Sequence, residues 1–148
     1  MKMAVKSSLG LILLTVIVAA MGSITYHEDR QSSSGEDLKG LIPWRSDMDS
    51  ARRDAVTANK PLLIEFVASW CPDCHEMARQ SWTQPKIATA MQAYVPVLID
   101  MDANQDLARQ YNVESIPSLF VVDPKNGTIT REIRDRVLSP EELLAWLK

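Results

Sequence analysis

Cysteine is scarce in this chain of 148 residues, which contains only Cys71 and Cys74, three positions apart. A small exported domain stabilised by disulfides would carry more cysteines, spread along its length. A bridge between residues this close restricts the unfolded chain very little, so a structural role for it is weak. The two sulfurs are therefore predicted to serve chemistry.

The sequence also lacks an excess of basic residues. It has 16 Lys and Arg against 19 Asp and Glu, and two of the lysines, Lys2 and Lys6, precede the first apolar run. Residues 27–148 therefore carry 14 basic and 19 acidic side chains, a net charge of −5. There is no basic stripe and no interleaving of basic and aromatic residues, so nucleic acid is not an expected partner.

The N-terminus has the features of an export segment. Lys2 and Lys6 are followed by an apolar run from Leu9 to Ile24, and Val18-Ala19-Ala20 offers the small residues that precede a cleavage site. The run is long for a cleaved signal and short for a bilayer span of about 20 residues, so cleavage and membrane anchoring both remain open. No cysteine stands directly after this apolar run, which excludes lipid attachment there.

The N-terminal segment predicts how the chain is divided and on which side of the membrane its domain lies. Residues 1–26 are assigned to a signal peptide or signal anchor, residues 27–40 to a polar linker, and residues 41–148 to one domain. Because the lysines stay on the cytoplasmic side, the domain is expected outside the cytoplasm, which would be the periplasm if the source is a Gram-negative bacterium.

Hydrophobic patterning from Ile42 onward predicts an α/β domain. Leu62–Val67 is apolar except for Glu65, the pattern of a strand covered on both faces. The predicted order is helix, strand, helix, helix, strand, helix, strand, strand, helix, which implies a central mixed sheet flanked by helices. The other predicted strands are Pro96–Met101, Ser118–Val122 and Thr128–Ile133, and helices are expected from Ser46 or Asp47 towards Ala58, through about Ser81, from Pro85, over Asn104–Tyr111 and from Pro140.

The segment Cys71-Pro72-Asp73-Cys74 directly follows the first buried strand and begins a helix. A sulfur at the first turn of a helix lies near unpaired N–H groups, which favour its thiolate, so Cys71 is predicted to be the nucleophile. Cys74 shares its helix face and is positioned to resolve a mixed disulfide. Asp73 disfavours a nearby thiolate and makes the dithiol a better reductant, whereas a protonated His75 would have the opposite effect.

Several residues together resemble the thioredoxin family: Glu65, Phe66, Ala68, Trp70-Cys71-Pro72-Asp73-Cys74 and Ile116-Pro117-Ser118. The resemblance covers about Leu41–Lys148. It is strongest to extracytoplasmic members such as the C-terminal domain of membrane thiol–disulfide interchange reductases. It implies a thioredoxin-like fold and a redox-active Cys71–Cys74 disulfide, with no other cofactor and no metal.

The resemblance also implies roles for residues around the cysteines. The Ile116–Pro117 bond is expected to be cis, with Pro117 against the disulfide and its backbone pairing with substrate. Glu65 is interpreted as a buried acid with a raised pKa that accepts the Cys74 proton. Thioredoxins usually have Asp there, with a Lys partner on the next strand, but Val97-Leu98-Ile99 contains no Lys.

Two further side chains are assigned to the surroundings of the site. Trp70 is predicted to shield the active-site loop. Arg136 stands where many thioredoxins have a groove-lining Gly, two residues before Leu138. A long cation there is expected to narrow or recharge the groove and restrict the set of acceptors.

The resulting prediction is an extracytoplasmic protein-disulfide reductase. Its expected electron donor is a membrane-embedded thiol reductase, and its acceptors are oxidised proteins or apocytochromes. A disulfide oxidase or isomerase of the same fold is the main alternative. Cys71 to His75 also match a c-type haem attachment motif, and Cys71, Cys74 and His75 are candidate ligands of a metal-binding or copper-delivery module. A redox-inactive binding module of the same fold is the remaining alternative.

Overall fold

The centre of the sheet is a strand, β1 (Leu62–Val67), in which all six residues are buried. The structure is a computed structural model that describes residues 37–148. In it β1 pairs in parallel with β2 (Val95–Asp100) and antiparallel with β3 (Ser118–Val122), and β4 (Ile129–Arg134) completes the order β2-β1-β3-β4. The predicted mixed sheet is confirmed, and its strands begin and end within one residue of the expected positions.

Helices cover the sheet in the predicted order. They are α1 (Met48–Ala58), α2 (Pro72–Met77), α3 (Pro85–Met91), α4 (Gln105–Gln110) and α5 (Pro140–Trp146). One detail differs: the helix expected through about Ser81 is α-helical only to Met77 and continues as a π-helical segment, Ala78–Trp82. Within this segment, the buried hydroxyl of Ser81 donates to the carbonyl oxygen of Leu138 at 2.7 Å.

The helix ends follow from local sequence. The Asp47 side chain accepts the N–H of Ser50 at 2.7 Å and starts α1. Asn59 adopts the left-handed conformation, with φ of 50°, and ends it. At α5, Ser139 and Glu142 form a reciprocal capping box.

The two faces of the sheet carry different side chains, because alternate strand residues point to opposite faces. Phe66 packs with Phe120 at 5.7 Å and Tyr111 at 5.5 Å between ring centroids. Its neighbour Glu65 points to the opposite face and contacts Trp82 of the π segment. The active-site helical segment therefore covers the face that contains the Glu65 carboxyl.

Residues 38–44, here called the strap, cross the end of the π segment. Leu38 is buried in the core, and the N–H of Leu41 donates to the carbonyl oxygen of Trp82 at 2.8 Å. A Cβ on Gly40, where φ is +56°, would lie 2.5 Å from the Trp82 carbonyl, so only glycine permits this approach. Leu38 and Gly40, assigned to the polar linker by sequence, thus pack on the domain.

The predicted signal or anchor over residues 1–26, and residues 27–36 of the linker, lie outside the described residues. Within residues 37–148 no helix has the length and apolar character required to cross a bilayer.

Candidate active site

The site is built around Cys71 and Cys74, which form a disulfide with Cα atoms 5.4 Å apart. Cys71 is the N-cap of α2, directly after β1, and its sulfur accepts the backbone N–H of Cys74 at 3.1 Å. Both cysteines are buried, with exposures of 2% and 1%. A helix N-terminus thus directs an N–H group at the Cys71 sulfur, an arrangement that stabilises a thiolate.

The residues between and after the cysteines form an exposed rim. Pro72 and Asp73 are exposed at the first turn of α2. The His75 Nε2 atom lies 2.8 Å from the carbonyl oxygen of Ser69, so this ring nitrogen is hydrogen-bonded to the loop backbone. The hydrogen bond to the Cys71 sulfur therefore comes from a backbone N–H rather than from a cationic side chain.

The loop before β3 lies against the disulfide. The Ile116–Pro117 peptide bond is cis, as the resemblance implies. The Ile116 carbonyl oxygen lies 3.8 Å from the Cys71 sulfur. The ladder of β3 begins at Ser118, and within residues 37–148 neither backbone group of Ile116 has a backbone hydrogen bond.

Glu65 is buried, with 1% of its surface exposed. Burial raises the pKa of its carboxyl from 4.5 to about 8, and a hydrogen bond from Trp82 opposes that increase. The indole Nε1–H donates to Oε1 at 3.2 Å. The second oxygen, Oε2, has no hydrogen-bond partner among the described residues. The carboxyl is thus mostly neutral at pH 7, with one fixed oxygen and one free oxygen.

Trp70 stands at the surface beside Cys71, with 63% of its area exposed. Its indole Nε1–H donates to Oδ2 of Asp102 at 2.7 Å. Asp100 at the end of β2 orders that loop, since its Oδ1 accepts the N–H groups of Asp102 and Ala103. The ring is held in place while most of its surface remains available for contact.

Arg136 is exposed and forms an ion pair with Glu142, the acid of the α5 capping box. The described contacts of Arg136 do not include the cysteine pair. Its predicted effect on a substrate groove therefore remains a prediction.

Sequence reasoning did not identify the partners of the two site side chains, Trp82 for Glu65 and Asp102 for Trp70. By sequence alone, Trp82 is typical of a core or groove-lining residue. One signal could have pointed to it: the strand beside β1 has no Lys to pair with Glu65, so another buried donor was required.

The geometry of Cys71 to His75 bears on the haem-attachment and metal-binding alternatives. The two sulfurs that a haem or a metal would use are bonded to each other, and His75 bonds the Ser69 carbonyl. Within residues 37–148 no group of three or more His, Cys, Asp or Glu side chains could hold a metal ion.

Comparison with known proteins places this geometry in a family. Residues 43–124 match the thioredoxin-like family model, which covers more than half of the chain. The chain belongs to the thioredoxin-like family. The matching domain is a thioredoxin-like oxidoreductase unit whose redox cysteine pair is Cys71 and Cys74.

Relatives include a protein disulfide-isomerase and a thiol:disulfide interchange protein. The chain is 32% identical over 113 residues to protein disulfide-isomerase A6 of Mesocricetus auratus, covering 76% of this chain and 22% of that protein. It is 30% identical over 97 residues to thiol:disulfide interchange protein DsbD of Neisseria meningitidis, covering 63% of this chain and 16% of that protein. The solved C-terminal domain of the Neisseria protein, in its oxidised form, superposes with a TM-score of 0.56 at 26% identity, covering 70% of this chain and 95% of that one. The predicted resemblance to this branch is confirmed.

Proposed function

We propose that the protein is an extracytoplasmic protein-disulfide reductase that transfers two electrons through Cys71 and Cys74. The observation that carries the proposal is the environment of the Cys71 sulfur. Its hydrogen-bond donor is the Cys74 backbone N–H, while the imidazole of His75 is held by the Ser69 carbonyl.

That environment bears on the direction of electron flow. Strongly oxidising members of such folds stabilise their reduced form, which raises the reduction potential. Here a helix terminus stabilises the Cys71 thiolate, whereas the acidic side chain of the rim residue Asp73 disfavours it. The reduced form is thus stabilised moderately, which favours a dithiol that gives electrons to substrate disulfides.

The chemistry follows from the placement of the two sulfurs. The Cys71 thiolate attacks one sulfur of a substrate disulfide, forms a mixed disulfide and releases the other substrate sulfur as a thiolate. In the minority of molecules in which Glu65 is ionised, Cys74 then loses its proton to the Glu65 carboxylate, and its thiolate attacks the Cys71 sulfur. The Cys71–Cys74 bond forms, the second substrate thiolate leaves, and the substrate has gained two electrons.

Proton transfer to Glu65 is energetically reasonable. An ordinary cysteine thiol has a pKa of about 8.5, and burial raises the pKa of Glu65 to about 8. A donor and an acceptor with similar pKa values exchange a proton at little cost in free energy. An exposed glutamate would be a much weaker acceptor.

The surface around the cysteines fits an extended protein segment. Ile116 presents unpaired backbone groups beside Cys71, and such groups bind a substrate strand by strand addition. Trp70, the residue before Cys71, offers an exposed aromatic face. The substrates we propose are accordingly oxidised proteins or apocytochromes, with Arg136 restricting the accepted set.

Location and electron supply complete the proposal. The lysines and apolar run at the N-terminus support export, with residues 1–26 as a cleaved signal or an anchor. A reductant outside the cytoplasm needs renewed electrons, and we propose a membrane-embedded thiol reductase as their source. The likeness to a thiol:disulfide interchange protein supports thiol–disulfide exchange as the chemistry.

The reduction potential tests the direction. The full chain is equilibrated with mixtures of reduced and oxidised glutathione, and the fraction of Cys71–Cys74 disulfide is measured by thiol alkylation and mass spectrometry. We expect a potential near that of thioredoxin, about −270 mV. A value near that of the strong oxidant DsbA, about −120 mV, would reverse the assignment in favour of an oxidase.

Location needs a separate test. Residues 1–40 are fused to a phosphatase reporter that becomes active only after its disulfides form outside the cytoplasm. We expect an active reporter, and lower activity when Lys2 and Lys6 are both replaced by Glu. An inactive reporter with the natural sequence would contradict export.

A further inference from the structure

The hydrogen bond between Trp82 and Glu65 lies in the interior of the domain. Trp82 is fully buried, Glu65 is 1% exposed, and the indole Nε1–H donates to Oε1. An indole nitrogen donates but cannot accept, so the contact keeps one direction in both protonation states of the carboxyl. Oε1 of the buried carboxyl therefore accepts a hydrogen bond, whereas Oε2 has no hydrogen-bond partner among the described residues.

Trp82 is fixed from several directions. The strap donates the Leu41 N–H to its carbonyl oxygen, and the Trp44 ring meets the Trp82 ring edge-on at 5.0 Å between centroids. Gly40 lies too close to the Trp82 backbone to accept a side chain. The indole is therefore held by the strap, independently of the cysteines.

Trp82 is also joined to the redox pair through the chain. The π segment continues α2 without a break, since the N–H of Ala78 donates to the carbonyl oxygens of Cys74 and His75. One helical segment thus carries Cys74 near its start and Trp82 at its end, and it covers the face that contains Glu65. The resolving cysteine and the donor to Glu65 are parts of one rigid element.

We propose that Trp82 is a positioning residue for proton transfer: its indole holds Oε1 of Glu65 and leaves Oε2 as the atom that takes the Cys74 proton. This inference rests on the proposed thiol–disulfide chemistry. In the step, the S–H bond of Cys74 breaks, an O–H bond forms at Oε2, and the electron pair left on sulfur forms the Cys71–Cys74 bond. The substrate sulfur leaves with the electrons of the broken mixed disulfide.

Among the described residues, the other groups around Glu65 are apolar or make contacts elsewhere, so Trp82 is its specific hydrogen-bond donor. From β2 and β3 the residues paired with Glu65 are Leu98 and Leu119, both apolar. The charged residue of the π segment, Arg79, is exposed and pairs with Glu76. On the strap, Lys39 is half-buried and accepts the Trp44 indole N–H with its backbone carbonyl.

The two thiols belong to the helical segment that covers Glu65. In the disulfide form they do not ionise, so the titration of Glu65 can be followed without interference from Cys71 or Cys74. In the reduced form Cys74 is the group with which Glu65 exchanges a proton.

Replacing the indole by a benzene ring isolates the effect of the N–H group. In Trp82→Phe the ionised carboxylate loses its donor, so the acid should become about tenfold weaker. Trp44→Phe is the matched control, since it removes an indole N–H from the same cluster while the bond to Glu65 stays.

The first experiment follows Glu65 by carbon NMR of its carboxyl in the oxidised full chain, with Glu65→Gln to assign the resonance. We expect Trp82→Phe to titrate about one pH unit higher than the natural protein and Trp44→Phe to match it. In the natural protein the Trp82 indole proton should shift with the same midpoint as Glu65, a measurement that requires no substitution. An indole proton that ignores the Glu65 titration, or an unchanged midpoint in Trp82→Phe, would overturn the inference.

The second experiment measures the proton-transfer step. Reduced protein is mixed with a dithiobis(nitrobenzoate) disulfide, which releases one nitrothiolate as Cys71 attacks and a second as Cys74 resolves the adduct. We expect Trp82→Phe to move the pH profile of the second release upward by about one pH unit and to leave the first release unchanged. Identical second-phase profiles in Trp82→Phe and Trp44→Phe would refute the positioning role. Neither phase depends on the reduction potential or the cellular location, so failure of the proposed direction would appear separately.

Discussion

The buried carboxyl of Glu65 should make the stability of the protein depend on pH in a way that one substitution removes. Glu65→Gln keeps an oxygen that can accept the Trp82 N–H but cannot ionise. When it is folded, the natural protein must either bury a charged carboxylate or keep the Glu65 carboxyl protonated. The glutamine of the variant is uncharged at every pH in the experiment. We therefore expect the two proteins to diverge as the pH rises.

The size and sign of the effect follow from the two pKa values. Below pH 4.5 the carboxyl is neutral in both the folded and the unfolded protein, so its contribution to stability is fully present. Between pH 4.5 and about 8 the folded protein keeps a proton that the unfolded chain has lost. The free energy of unfolding then falls by about 1.4 kcal/mol per pH unit. The loss reaches about 3 kcal/mol at pH 7 and about 5 kcal/mol above pH 8.

Urea denaturation of the oxidised full chain, followed by tryptophan fluorescence from pH 5 to pH 9, measures this difference. The free energy of unfolding of the natural protein, relative to Glu65→Gln, should fall by about 4 kcal/mol over that range. Glu114→Gln, which changes an exposed acid, should retain the slope of the natural protein. A constant difference between the natural protein and Glu65→Gln at every pH would refute the reasoning.

Three other substitutions test separate parts of the structure. Cys74→Ala should accumulate mixed disulfides through Cys71, detectable by mass, and Cys71→Ala should form none; equal trapping by both variants would contradict the assigned order of attack. Trp70→Ala should raise KM several-fold for a protein disulfide but not for a small-molecule disulfide; equal effects on both would exclude a docking role. Gly40→Ala should cost about 3 kcal/mol of unfolding free energy, because a Cβ at positive φ meets the Trp82 backbone; an unchanged urea midpoint would contradict the close packing of the strap.

The fold could be predicted in detail because its signals are local. The apolar run at Leu62–Val67 and the turn at Pro124–Gly127 mark strands directly, and Asn59, Pro85 and Pro140 mark the helix ends. The π segment could not be predicted, because it depends on contacts with distant parts of the chain. The Ser81 hydroxyl donates to the Leu138 carbonyl oxygen, and the strap donates the Leu41 N–H to the Trp82 carbonyl oxygen.

The site was predictable in its covalent chemistry and less so in its environment. The spacing of Cys71 and Cys74 after a buried strand defines the redox pair, and a carboxyl inside an apolar strand implies burial. The partner of Glu65 is 17 positions away in sequence, on an element whose helical phase changes before it. Hydrophobic periodicity does not indicate which side of such a segment faces the sheet, so the contact between Trp82 and Glu65 could be found only from the structure.

The nucleophilic character of Cys71 is tested most directly by the pH dependence of alkylation at each sulfur in the reduced protein. Rates of iodoacetamide modification at Cys71 and Cys74 are measured separately by mass spectrometry from pH 4 to pH 10. The Cys71 thiol, beside the N-terminus of α2, should react with a midpoint clearly below the ordinary cysteine value of about 8.5, and Cys74 with a higher one. Two sulfurs that both titrate at the ordinary value would contradict the mechanism.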